Sequence, residues 1–154
     1  MSFGKTTLRC WLPAAALALA QAGCRVTVCA RTPEKAAALA ARCGGVTVSW
    51  EDLPRAAAEH GLLLNATPLG MEGSPEFESL DFVQALPTKA VVYDLVYHPT
   101  DTALLRAAGS RELTAVGGLA LLVQQAALAF AYFTGIVPDA ALCRDILQEL
   151  EAAQ

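Results

Sequence analysis

Cys24-Arg25-Val26-Thr27-Val28-Cys29-Ala30-Arg31-Thr32-Pro33-Glu34-Lys35 is the stretch on which the fold turns. Its first seven residues are short, apolar and β-branched, the pattern of a buried strand. The next five switch to the chemistry of a helix start. Thr32 has the side chain of an N-cap, and Pro33 has a φ already set for the first helical position. Glu34 lies near the positive end of the helix dipole. A strand that hands directly to a helix is half of a βαβ unit, and two parallel strands need just such a crossover.

Working outward, residues 13–22 read as a helix with proline in its first turn and Gly23 just past its end. Lys5 and Arg9 before the apolar run 10–20, with Ala20-Gln21-Ala22 behind it, also trace the outline of a secretory leader. The strand that follows at once favours the helix. Downstream, a helix over 36–43 stops at Gly44-Gly45. Strands are expected at 46–49, 62–65, 90–94 and 113–116. Ser49 is placed to cap a short helix ending at 58, and further helices are expected near 102–108, 119–133 and 138–152. Short apolar strands alternating with helices predict an α/β fold, a Rossmann-like, doubly wound parallel sheet flanked by helices. The expectation is one domain over residues 1–154, with residues 1–12 a divergent start and a degenerate first strand at 1–6.

Composition narrows the function. The chain has 154 residues, 55% hydrophobic and 17% charged, with a net charge of −4. Lys5, Lys35 and Lys89 are the only lysines and form no cluster, which argues against a nucleic-acid partner. Cysteines at 10, 24, 29, 43 and 143 show no CxxC spacing, so neither a zinc site nor a disulfide framework is expected. They read as reduced thiols of a cytoplasmic protein. No apolar run reaches the roughly 18–20 residues that span a bilayer.

In doubly wound folds, ligands bind beyond the carboxyl ends of the strands. An acidic residue after the second strand would bind a ribose 2′-hydroxyl and select NAD. Here Ala30, Arg31 and Thr32 stand there instead. A guanidinium and a hydroxyl suit the 2′-phosphate of NADP, through charge-assisted hydrogen bonds of roughly 1.5–3 kcal/mol each. The plainer reading is a solvated arginine before a capping threonine. At the other strand ends, Asn65 and Thr67 are turn-formers, Tyr97 is a possible loop anchor, and Asp94 reads as structural. His60 suits a helix end and His98 has no evident partner, so neither is assigned a role and no metal site is expected.

Asn65-Ala-Thr-Pro-Leu-Gly-Met71, Tyr93-Asp-Leu-Val-Tyr-His-Pro99 with Thr102, and Gly118-Leu-Ala-Leu-Leu-Val-Gln-Gln-Ala-Ala-Leu-Ala-Phe130 occur in order. Ala30-Arg31-Thr32 precedes them and Thr134-Gly-Ile-Val-Pro-Asp139 follows. This set resembles the carboxyl-terminal, NADP-binding domain of the shikimate dehydrogenase family, from about Ala14 to the end of the chain. The resemblance implies that Arg31 and Thr32, with Ala30 for the usual asparagine and Lys35 as a second cation, hold the NADP 2′-phosphate. It implies that Asn65 and Thr67 face the cofactor, and that Leu95 and the backbone of Gly118 line the nicotinamide. Tyr97 and Gln125 match side chains that hydrogen-bond shikimate hydroxyls.

The same resemblance marks two departures. The family draws its acid–base lysine and aspartate from an amino-terminal domain that these 154 residues do not contain. No catalytic residue is therefore assigned, and the isolated chain is expected not to turn over a shikimate-like polyhydroxy acid. Thr7, Arg9 and Cys10 also stand where the family has the glycines of its GxGG turn, which weakens the expectation of NADP binding. The alternative is a non-catalytic module without cofactor, burying an apolar face by association with itself or with another chain.

Overall fold

The computed structural model describes residues 11–153. In chain order its elements are α1 (Trp11–Gln21), β1 (Thr27–Cys29), α2 (Pro33–Cys43), β2 (Val46–Val48), α3 (Leu53–Ala57), β3 (Leu62–Asn65), α4 (Asp81–Ala85), β4 (Val91–Asp94), α5 (Ala103–Gly109), β5 (Thr114–Val116), α6 (Gly118–Thr134) and α7 (Ala140–Ala152). They fall into two compact units. One runs up to Gly61 and includes Ser79–Pro87; the other comprises Leu62–Glu78 and Thr88–Gln154. The expected first strand and glycine turn, with Thr7, Arg9 and Cys10, lie outside the described residues.

In the first unit β1 and β2 pair in parallel, Thr27 opposite Val46 and Cys29 opposite Val48. Ala36, Leu39 and Ala40 recur at helical spacing on α2 and pack with Val28 of β1 and Ala16 of α1. Small side chains on α2 let its backbone approach the strand closely, and α1 packs on α2. Gly44 ends α2 in the left-handed region at φ 63°. Gly45 then passes so near β1 that a Cβ would sit 2.3 Å from the Val26 carbonyl oxygen. Only glycine allows that close return into β2.

Thr32 occupies the N-cap position of α2 with extended backbone, but its hydroxyl makes no cap hydrogen bond, contrary to expectation. Pro33 carries no N–H, and its preset φ already favours the turn. Ser49 does accept the Asp52 N–H at 3.2 Å, although α3 itself begins only at Leu53. Helix α4 was not anticipated, because five residues are too few to show a period.

The second unit holds a three-stranded parallel sheet in the order β3-β4-β5. Central β4 buries Val92 and Asp94 completely, with Asp94 opposite Asn65. Helix α5 packs on β4 and β5, and α6 and α7 pack on each other. No helix among the described residues is long and apolar enough to cross a membrane.

Candidate functional site

At the carboxyl end of β1, Ala30 packs against the apolar cluster while Arg31 is exposed. Among the described residues, the Arg31 side chain makes no ion pair or hydrogen bond. Thr32 is half-buried, and Lys35 is exposed in the first turn of α2. Two cations and a hydroxyl not used as a cap thus gather at the positive end of an eleven-residue helix, a setting that favours an anion. Glu34 is the one acidic residue in that first turn.

The strand tips of the second unit are tied by a buried network. Asp94 accepts hydrogen bonds from Asn65 Nδ2 at 2.9 Å, the Val96 N–H at 3.1 Å and Thr102 Oγ1 at 2.7 Å. Burial raises its pKa above the ordinary carboxylate value, and these three donors pull the other way. Thr102 also caps α5 by accepting the Leu105 N–H. Asp94 is therefore structural, as expected, and the tip of β4 is pinned to β3 and to α5.

Asn65 completes the network. Its Nδ2 donates a second time, to the Leu69 carbonyl, and its Oδ1 accepts from both the N–H and the hydroxyl of Thr67. The Thr67 oxygen in turn accepts the Leu69 N–H at 3.2 Å. An asparagine side chain has two donors and two acceptor positions, and all four are used here. Asn65 and Thr67 thus spend their side chains on the loop after β3. What they offer a ligand is the shape of that loop.

Leu95 and Gly118 are brought into direct contact. The Gly118 N–H donates to the Val96 carbonyl at 3.1 Å. A Cβ on Gly118 would lie 2.4 Å from the Leu95 oxygen and 2.7 Å from the Val96 carbonyl carbon. The glycine is required by the approach of α6 to the end of β4, independently of any ligand. Gln125 lies seven residues on, two turns along the same face of α6, and is half-buried where Gln124 is exposed. Tyr97 follows β4 with its side chain exposed.

Three contacts escaped the sequence. His98 Nε2 pairs with Glu72 Oε2. His60 lies between the Thr27 hydroxyl and the Ala56 carbonyl. The third is the Asn65–Asp94 bond. Each joins residues brought together by folding, or by a loop with no periodicity to read. Burial pushes the Cys29 thiol up to about 11, so it is protonated at neutral pH. No group of His, Cys, Asp and Glu among the described residues could hold a metal.

Residues 118–148 match the family model for the shikimate 5′-dehydrogenase C-terminal domain. Over 139 residues the chain is 46% identical to the NADP(+)-dependent shikimate dehydrogenase of Acidiphilium cryptum, covering 89% of this chain and 50% of that protein. The corresponding protein of Methylocella silvestris is 48% identical over 74% of this chain and 41% of its own length. Among solved structures, Thermus thermophilus shikimate 5-dehydrogenase in complex with NADP(H) and shikimate superposes with a TM-score of 0.73 at 37% identity, over 89% of this chain and 50% of that one. Quinate dehydrogenase from Corynebacterium glutamicum in complex with NAD reaches 0.76 at 30% identity, over 89% and 51%. The chain spans about half the length of the relatives it matches. The chain is similar to the carboxyl-terminal half of shikimate dehydrogenases, and its α/β, Rossmann-like fold corresponds to that half.

Proposed function

We propose that residues 1–154 act as one NADP-binding domain of a shikimate dehydrogenase-type oxidoreductase. The observation that carries this reading is Arg31, an exposed guanidinium without a partner among the described residues, at the carboxyl end of β1. Beside it stand Lys35 and a Thr32 hydroxyl that caps nothing. These three would hold the 2′-phosphate, Ala30 would flank the adenosine, and the loop built by Asn65 and Thr67 would face the cofactor. Leu95 and the Gly118 backbone would line the nicotinamide, which supplies the hydride when bound. Tyr97 and Gln125 would orient a polyhydroxy acid, since a phenol and an amide give directional donors and acceptors.

In the reaction so assigned, NADPH gives hydride to the carbonyl carbon of 3-dehydroshikimate and the new alkoxide takes a proton, yielding shikimate and NADP. The proton comes from the lysine and aspartate pair of the family's amino-terminal half. The chain alone then binds cofactor without turnover.

A fluorescence titration with NADPH tests this. Saturable binding is expected, weakened roughly 10- to 100-fold in Arg31→Ala, as the loss of a charge-assisted phosphate contact implies. Absence of saturable binding by the wild-type chain would sink the proposal.

A further inference from the structure

Two loops at the carboxyl ends of the strands are joined twice over by a single pair of residues. In the loop after β3, Glu72 donates its N–H to the His98 carbonyl at 3.1 Å. Its carboxylate Oε2 also meets His98 Nε2 at 2.5 Å. The chain around Glu72 is closed on itself. The Gly70 N–H donates to the Pro75 carbonyl at 3.0 Å, and the Ser74 N–H to the Met71 carbonyl at 2.9 Å. Just upstream, the Leu69 carbonyl accepts from Asn65. On the other side, the loop after β4 is held at Val96, whose carbonyl accepts from Gly118, and again at the buried Thr102. Tyr97 and His98 lie between these anchors with exposed side chains.

We propose that Glu72 and His98 form a proton-operated strap that fixes the loop after β4, and Tyr97 with it, to the loop after β3. The part given to Tyr97 at the substrate rests on the functional reading above. A histidine ring changes its charge between about pH 5 and 8. An imidazolium makes a charge-assisted bond to a carboxylate, roughly twice as strong as a neutral one. Neutral His98 keeps at most an ordinary N–H donor, so the strap is tight in acid and slackens as pH rises. Glu72 faces the ring from the loop after β3. On His98's own loop, Tyr97 is its neighbour in sequence and Asp101 is engaged by Arg106 at 3.2 Å. Glu76 and Thr102 both lie beside Gly70. Both partners of the strap are more than half exposed, so the pair adds little to global stability. A loop needs less. Local openings begin near zero free energy, and an exposed pair shifts such an equilibrium about two- to fivefold.

Amide hydrogen exchange of the full chain, followed by NMR, tests the strap. Protection of the amide at position 72 is measured at about pH 5 and about pH 8, each divided by its intrinsic rate. The wild type is expected to lose protection about two- to fivefold at the higher pH. Glu72→Gln keeps the backbone donor and removes the charge, so protection there is expected to be low and equal at both pH values. His98→Lys keeps a cation throughout, so protection is expected to persist without the pH dependence. The Leu113 amide, bonded to the Ala108 carbonyl at 3.1 Å, is the control and should not change in any variant. NMR relaxation of the Tyr97 backbone amide is expected to follow position 72, ordered in acid and more mobile at the higher pH. Equal protection at both pH values in the wild type would overturn the inference. So would a pH dependence that survives in Glu72→Gln, or a Tyr97 amide that does not move with position 72. An NADPH titration of the same samples separates the two claims. A strap that fails while nucleotide binds defeats this inference alone, and an intact strap without nucleotide binding defeats only the cofactor reading.

Discussion

Asp94 shows how one residue can hold a strand end in place without taking part in chemistry. Three donors converge on its fully buried carboxylate. Asp94→Ala leaves all three unmet and is expected to cost about 3–4 kcal/mol in urea unfolding. Asp94→Asn is expected to cost only about 1 kcal/mol, because the Thr102 hydroxyl can turn to accept from the new amide. A pH dependence follows from the raised pKa. The folded state binds this proton more tightly than the unfolded chain does. The stability it contributes is therefore fully present below about pH 4 and is lost as pH rises through the raised value. The stability difference between wild type and Asp94→Asn should accordingly fall from acid toward neutrality and then level off. A difference that grew with pH would contradict the assignment.

Among the elements, the contact between Gly118 and the end of β4 is the tightest joint beside the site. Gly118→Ala forces a methyl group onto the Leu95 and Val96 backbone. It is expected to cost about 3 kcal/mol of stability by the general price of overpacking, seen as a lower urea midpoint with an unchanged slope. The five strands among the described residues were legible as short apolar runs, β-branched except in β3, which agrees with its expected bounds at both ends. The others proved shorter. The run at 24–30 keeps ladder pairing only over Thr27–Cys29, because its partner β2 is itself three residues long. Apolar pattern reports burial, and burial extends past the last hydrogen-bonded pair. Helix α4 was missed for want of length. The cap at Thr32 was anticipated from residue type, which does not fix whether the hydroxyl turns toward an N–H of the first turn.

At the scale of the molecule, the candidate site was legible in its positions more than in its roles. Arg31, Asn65, Leu95 and Gly118 all fall at or just past strand ends or at a helix start, where the alternation of elements had put them. That Asn65 would be saturated by Thr67, Leu69 and Asp94 depends on partners up to 29 residues away, and no local pattern carries that information. The identity of Gly118 was legible, but its cause is the backbone of Leu95 rather than a ligand. On the proposed function, a cation at the tip of β1 chooses between two cofactors that differ by one phosphate. Isothermal titration of wild type and Arg31→Ala with NADPH and NADH, four measurements in one cycle, addresses that choice directly. The expected result is that Arg31→Ala weakens NADPH roughly 10- to 100-fold and leaves NADH unchanged. Equal losses for both nucleotides, or none for either, would contradict it.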